Sequence, residues 1–290
     1  MRTPPTGIEP EAVLAAVREH WLPDTTSVEH LPVGFGAHHW AALVDDAPTL
    51  FVTLDALGSR HSFASLTAAY AGAAELRASG LDLVHAGVAP YAVPFGDRAL
   101  SVTPWLSGSN PEVLDPRITA AMLDRLQASP APTGLPRWQP LVGSDLAADL
   151  TRRVRAPWSR GPHGETARAA VADHLDDLVR WVEDYHRLAE IARTRAWVPT
   201  HGEPHRGNQV VTRDGTVLVD WESLKLAPAE RDLRTLDPRL GAADMQALCD
   251  LEWRLDEVSQ YADWFEGDHA GTEDDTIALA GLVEELERSR

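Results

Sequence analysis

Cysteine is nearly absent: Cys249 is the only one in 290 residues. A disulfide framework within the chain is excluded, and so is a four-cysteine zinc site. Cys249 follows Leu248 in a helical pattern and reads as a small core residue. Basic residues are in deficit, with 26 Lys and Arg against 44 Asp and Glu and a formal net charge of −18. Such a surface repels nucleic acid and anionic lipid, so neither is expected as a partner, and it favours a cationic substrate. No uninterrupted apolar run is long enough to span a bilayer, and no membrane partner is expected. The first residues, MRTPPTGIEP, lack the apolar core of a signal peptide, so the expected location is cytoplasmic. There is no internal repeat and no low-complexity tract.

What remains is an ordinary globular composition, 44% hydrophobic and 24% charged, sufficient for a sizeable core. Residues 11–21 read as a short helix, with Val13, Leu14 and Val17 on one face. Short β-like runs follow at 29–33, 39–44 and 50–54, separated by turn residues, which is the texture of an antiparallel meander. A helix is expected over 62–79, then β-like runs at 91–93 and 99–103. Pro104-Trp105-Leu106-Ser107-Gly108 breaks the pattern as a linker. Beyond it, helices are expected at 116–128, 143–156 and 164–194, a β-like patch at 198–219, and helix thereafter, at 243–266 and 273–288. The expected organisation is a β-rich lobe over 1–104 and a mainly helical lobe with an embedded hairpin over 105–290, an α+β fold.

The chemistry concentrates between His201 and Glu222. His201-Gly202-Glu203-Pro204-His205-Arg206-Gly207-Asn208 is a loop carrying a carboxylate and a carboxamide. Gln209-Val210-Val211, a turn at Arg213-Asp214-Gly215 and Val217-Leu218-Val219 form a hairpin. It returns Asp220 to the neighbourhood of Asn208, although the two are twelve positions apart. Asn and Asp oxygens suit Mg²⁺, which keeps waters and phosphate oxygens as its other partners. Glu203, on the same loop, is placed to accept a proton from an incoming hydroxyl. Phosphoryl transfer needs little more than in-line positioning, charge neutralisation and a group that orients the nucleophile.

This segment resembles the catalytic loop and metal-binding hairpin of the aminoglycoside phosphotransferase and choline kinase families, relatives of protein kinases. Their pattern is His-Gly-Asp, four residues, Asn, a hairpin, then an apolar residue before Asp-Trp or Asp-Phe. The likeness covers about 35 residues, through Ala227-Pro228-Ala229-Glu230-Arg231-Asp232-Leu233, and extends weakly to Val102–Gly108, which looks like the family's hinge. The resemblance implies a two-lobed kinase-like fold with ATP or GTP and Mg²⁺ between the lobes. By that resemblance Glu203 is the catalytic base, Asn208 and Asp220 hold the metal, and Glu222 helps with a second ion. His201, with His205 beside it, supports the loop. Val33-Gly34-Phe35-Gly36-Ala37-His38 occupies the place of the phosphate-covering loop, so Gly34, Gly36 and His38 face the cofactor, and Trp105 at the hinge is placed to stack on a base. Late helices line the acceptor pocket in these families, which points to Asp256 and Glu257 as contacts for a cationic, hydroxylated substrate such as an aminoglycoside or another antibiotic. Resistance or self-protection is the implied role.

Two departures from the family pattern stand out. Its base is normally Asp; Glu203 is longer by a methylene, a shift of about 1 Å, which can cost about a hundredfold in rate. Its third strand carries a Lys for the phosphates, and here that position is Thr53, with Glu75 as the remnant of the usual Lys partner and Arg60, Arg77 or His38 as candidate substitutes. A catalytically impaired nucleotide- or ligand-binding protein is therefore an alternative. A second is a metallohydrolase using His201, Glu203 and His205, although Gly202 and Pro204 disfavour the helix that such a zinc motif needs.

Overall fold

In the computed structural model, which describes residues 1–34, 36–58, 60–237 and 239–288, Phe35 of the glycine loop lies outside the described residues. Along the chain, α1 (Pro10–His20) leads into β1 (Ser27–Leu31), β2 (His38–Val44), β3 (Ala47–Ala56), α2 (Phe63–Ala78), β4 (Val93–Phe95) and β5 (Arg98–Pro104). Helices α3 (Pro116–Gln127), α4 (Leu146–Arg153), α5 (Gly164–Asp173) and α6 (Leu175–Ala192) follow. Then come β6 (Val198–Thr200), a 3₁₀ turn at Arg206–Asn208, β7 (Gln209–Thr212), β8 (Gly215–Leu218) and β9 (Lys225–Ala227). The chain ends with α7 (Glu230–Leu233), α8 (Ala243–Glu266) and α9 (Glu273–Glu287).

Chain contacts divide into two compact units, Met1–Trp138 with Ala196–Leu240, and Gln139–Arg195 with Gly241–Arg290. The division does not fall at residue 104. The hairpin of β7 and β8 belongs with the five-stranded sheet, to whose flanking segments it is tied by bridges Val84↔Leu218 and Ser109↔Val211.

In the first unit the strands form an antiparallel sheet in the order β1-β2-β3-β5-β4. Side chains alternate across it. Trp40, Val52, Leu54, Leu100 and Val102 bury one face against Val13 and Val17 of α1. The register pairs His39 with Thr53, Thr53 with Ser101 and Phe51 with Thr103, so these residues share the other face. Helix α2 starts at a capping box of Ser62 and Ser65, which satisfies two donors of its first turn. Its Leu66, Ala73 and Leu76 form a second core with Leu123 and Leu126 of α3, and this core includes Leu218, Trp221 and Leu224. Each fully buried Leu contributes about 2 kcal/mol, so the segment after β8 is anchored by packing as well as by the short β7–β8 ladder.

The second unit is helical. Tyr185 of α6 donates from its hydroxyl to Glu252 of α8 at 2.6 Å. Arg153 of α4 pairs with Asp263 at 2.8 Å and Glu266 at 2.5 Å. The helix expected over 164–194 is two helices broken at His174. The His174 ring takes the Ala170 carbonyl through Nδ1 at 2.9 Å, and its own N–H bonds to Val171 instead. A side chain has thus taken the acceptor that the α-helical ladder assigns to the backbone. β9 was expected to lie in helix; it pairs with β6 across Thr200↔Lys225, and three residues are too few to show a period in sequence. Among the described residues, no helix is long and apolar enough to cross a membrane.

Candidate functional site

The loop 201–208 is fixed by its own backbone and by three buried side chains. His201 is fully buried; its Nε2–H donates to the Val219 carbonyl at 2.8 Å and its Nδ1 accepts the Glu203 N–H at 3.3 Å. Burial holds the imidazole down at about 4, so it stays neutral. The ring therefore stitches the loop to the end of β8 with both nitrogens committed. That removes the zinc reading of His201, Glu203 and His205, and among the described residues no group of three or more His, Cys, Asp or Glu is arranged to hold a metal. Asp232 of α7, fully buried, accepts N–H bonds from His201 at 3.0 Å and Gly202 at 2.6 Å. Gly202 has φ 101, and a Cβ there would run into the Arg231 guanidinium. Arg231 in turn donates to Thr200 Oγ1 at 3.0 Å. Gln209 donates to Thr119 Oγ1 at 3.0 Å and to the Pro204 carbonyl at 2.9 Å, tying the loop to α3.

The hairpin brings its two ends together. Thr212 pairs with Gly215 around the two-residue turn Arg213–Asp214, and Gln209 pairs with Leu218. One step beyond, Val219 N–H donates to the Asn208 carbonyl at 3.0 Å. Asn208 Nδ2 donates to the Glu203 carbonyl at 3.1 Å, which leaves Oδ1 as the atom for a cation. Asp220 sits at φ 67, in the left-handed region that costs a non-glycine residue about 1–2 kcal/mol and that Asp tolerates better than most. The residue is exposed; partial desolvation of its carboxyl at the cavity, then the charges of Glu222 and Glu203, push it above the usual carboxylate range.

A second set of acids lies against this loop. Asp55 of β3 is buried and accepts from the Tyr70 hydroxyl at 3.1 Å. Burial, with the charges of Glu222 and Asp220, raises its carboxyl well above the ordinary range. Glu222 moves the other way, to about 2: burial opposes ionisation, but His61 and a hydrogen bond from Asp55 more than offset it. His61 Nε2 stands 3.7 Å from Glu222 Oε1.

A cavity of about 330 Å³ opens on this region, and its lining residues all belong to the first unit. Its lining includes Asn208, Asp220 and Asn110, Thr53, Tyr70 and Ser101, and Gly34, Phe51 and Trp105. Among the described lining residues there is no Lys or Arg. Lys225, the only lysine of the chain, lies in β9 beside Thr200.

Other expected residues lie elsewhere. Glu222 is turned to His61 and does not line the cavity. His38 is off the cavity, facing His30 and Trp40 at ring separations of 6.2 and 6.4 Å. By the strand pleat its neighbour His39 takes the cavity face, bonded to Thr53 Oγ1 at 3.2 Å and 4.9 Å from the Phe51 ring. Gly36 does not line the cavity. Glu75 accepts the Thr133 N–H at 3.1 Å, away from Thr53, and the α2 residue at the cavity is Tyr70. Glu203 is half-buried with His205 Nε2 3.9 Å from its Oε2. Asp256 and Glu257 belong to the second unit, where Asp256 is buried rather than on a solvated helix face. Asp55, His61, Tyr70, Asn110 and the anchoring role of Asp232 had no local sequence signal, apart from Asp232's place in the Pro228–Leu233 stretch; the His38-His39 pair signalled that one of the two could face the cleft, but not which.

Residues 27–237 match the phosphotransferase enzyme family. Protein StrN of Streptomyces griseus is 33% identical over 96 residues, which are 31% of this chain and 30% of StrN, so the likeness spans under a third of that relative. A spectinomycin phosphotransferase in complex with ADP and spectinomycin superposes with a TM-score of 0.69 at 12% identity, covering 96% of this chain and 95% of that one. An amicoumacin kinase in complex with AMP-PNP and Ca²⁺ gives 0.58 at 12% identity over 97% and 93% of the two chains. The apo form of a thermostable aminoglycoside phosphotransferase mutant gives 0.56 at 12% identity over 96% and 98%. At these identities the solved structures share the fold with this chain.

Proposed function

The chain belongs to the phosphotransferase enzyme family, and from that premise we propose that it moves the terminal phosphate of ATP or GTP onto a hydroxyl of a small, cationic, antibiotic-like molecule. The observation that carries this reading is the shared place of Asn208 and Asp220 in the cavity lining, with Glu203 held on the same loop. The donor set fits Mg²⁺: a carboxamide oxygen left open by its own amide bond, and a carboxylate crowded by two further acids that a divalent cation would relieve. Bound there, Mg²⁺ would neutralise phosphate charge during transfer.

The chain's own residues supply the rest. Glu203 orients the acceptor hydroxyl and takes its proton as the hydroxyl oxygen bonds to the terminal phosphorus and the bond to the bridging oxygen breaks, leaving the nucleoside diphosphate. His201 and Asp232 hold the loop so that the Glu203 carboxylate keeps its aim. Phe51 and Trp105, with ring centroids 6.4 Å apart, offer an apolar slot for a base. Thr53, Ser101 and His39 offer neutral donors to phosphate oxygens. The net charge of −18 favours a cationic acceptor, in line with the antibiotics bound by or named for the similar solved proteins.

Thermal shift with Mg·ATP and Mg·GTP tests nucleotide binding, and nucleotide turnover in a panel of hydroxylated antibiotics tests transfer. Asp220→Ala is expected to reduce transfer to background; retention of most activity refutes the metal assignment. A second reading, a nucleotide-binding protein with little turnover, is favoured by one observation, the lack of Lys and Arg among the described lining residues. Binding without turnover across the panel would establish it.

A further inference from the structure

Where the linker after β5 meets β7, one backbone donor is missing. Ser109 N–H donates to the Val211 carbonyl at 3.2 Å, and Val211 N–H to the Ser109 carbonyl at 2.9 Å. In an antiparallel ladder the next such pair joins residues two further on, Pro111 and Gln209. Proline has no N–H, so the Gln209 carbonyl loses its ladder donor. The Asn110 carboxamide fills that place. Its Nδ2 donates to the Gln209 carbonyl at 2.8 Å and also to the Gly207 carbonyl at 2.8 Å. Both partners are acceptors, so they dictate which way the amide points. Gly108 lets the linker come this close: a Cβ there would lie 2.5 Å from the Val211 oxygen and 2.6 Å from Val210 Cγ1.

Asn110 thus grips the carbonyls on either side of Asn208. We propose that Asn110 is a positioning residue for Asn208, setting the rotation at which the Asn208 side-chain oxygen faces a divalent cation. The proposal rests on the nucleotide–metal reading of this cavity. The Asn208 carbonyl is already held by Val219 and its amide by Glu203. The plane before Asn208 is held at its N–H by the His205 carbonyl at 3.0 Å and at its Gly207 carbonyl by Asn110; Asn110 also holds the Gln209 carbonyl, one plane beyond the Asn208 carbonyl. Asn110 is itself exposed, while the hairpin keeps its own ladder and the Leu218 and Trp221 anchors. The role is therefore separable from folding.

Full-length wild type, Asn110→Ala and Asn110→Asp are titrated with Mg²⁺ in the presence of ADP or GDP, whichever stabilises the wild type, following the melting temperature. Metal-free binding of the same nucleotide is measured by isothermal titration. Residues that orient metal ligands typically change affinity by about 10-fold or more when lost. The Mg²⁺ half-saturation is expected to rise roughly 10-fold in both variants, with a clearly smaller change in metal-free nucleotide binding, although Asn110 lines the cavity. Asn110→Ala combined with Pro111→Ala is expected to regain part of the loss, because residue 111 then has an N–H to offer Gln209. Wild-type Mg²⁺ dependence in both single variants overturns the proposal, as does an equal loss of metal-free nucleotide binding, which marks a merely structural contact. A wild type that shows no Mg²⁺-dependent stabilisation by either nucleotide overturns the parent reading instead, and that result is distinct.

Discussion

Replacing Asp232 by Asn tests what holds the loop in place. The Asp232 carboxylate is fully buried and accepts two backbone N–H bonds, from His201 at 3.0 Å and from Gly202 at 2.6 Å. Burial raises its pKa, while Arg231 and the two N–H bonds work against that rise. Asn keeps one acceptor and turns an NH₂ toward the other N–H. One charge-assisted bond, worth about 1.5–3 kcal/mol, is lost, and a buried donor is left unmet at about 1–3 kcal/mol. The relief of no longer burying a charge offsets part of this, leaving a net loss of about 3 kcal/mol. At about 2–4 °C per kcal/mol for a unit of this size, the melting temperature is expected to fall by roughly 6–12 °C.

The same change displaces the peptide on which Glu203 is carried. A misplacement of about 1 Å costs about a hundredfold in rate, so kcat is expected to fall by about that factor, with nucleotide affinity nearly retained, since Asp232 does not line the cavity. Circular dichroism melting and steady-state kinetics at saturating nucleotide measure the two effects. A variant that melts within about 2 °C of wild type, with kcat within twofold, refutes the argument that this carboxylate anchors the loop.

Further outcomes follow from the same geometry. Gly202→Ala must adopt φ near 101 and push aside the Arg231 guanidinium; a loss of about 1–3 kcal/mol is expected in chemical denaturation, and an unchanged midpoint would contradict the close packing. Thr53→Lys puts an ammonium into a cavity whose described lining residues include no Lys or Arg, so metal-free nucleotide should bind roughly tenfold tighter by isothermal titration, about 1.4 kcal/mol; unchanged affinity would take Thr53 off the phosphate wall. His201 has its pKa depressed from 6.5 to about 4 by burial, so the unfolded chain binds the extra proton first. Its stability contribution is complete above about pH 6.5 and declines as pH falls toward 4, by about 3 kcal/mol. His201→Asn should flatten the wild-type loss in melting temperature between pH 7 and pH 5, and equal slopes for both proteins would exclude His201 as the source.

The site was legible where its parts are local in sequence. Asn208 and Asp220 are joined by one short hairpin, so residue types at the turn were enough to bring them together. Helices with strong starts were equally legible: Asp115 before Pro116 caps α3 through bonds to Arg117 and Ile118, and Thr272 opens α9 with a capping box. The residues that surround the site were not, because long-range packing brings them in. Asp55, His61 and Tyr70 come from β3, α2 and the segment between them to meet Glu222. Nothing in their own neighbourhoods announces that meeting. His38 and His39 show a finer limit. Adjacent strand residues of one type carry no clue to which faces the cavity, and only the pairing His39↔Thr53 decides it.

The missing lysine and the well-held hairpin are connected by charge. A nucleoside triphosphate carries several negative charges, and among the described lining residues this cavity offers hydroxyls, imidazole and one carboxylate, with Asp55 buried behind Tyr70. Neutral donors can bond to phosphate oxygens but cannot cancel their charge, and Glu222, held ionised nearby, makes the local field worse. On the proposed function, the compensation falls on the cation that Asn208 and Asp220 would hold. A protein whose phosphate binding leans that heavily on metal needs those two oxygens held firmly. The contacts are distributed accordingly: Val219 on the Asn208 carbonyl, Glu203 on its amide, Asn110 on the carbonyls to either side, and His201 bridging to the strand that delivers Asp220. If Thr53→Lys relaxed the Mg²⁺ requirement for nucleotide binding, it would show that the hairpin had been carrying the lysine's share of the charge.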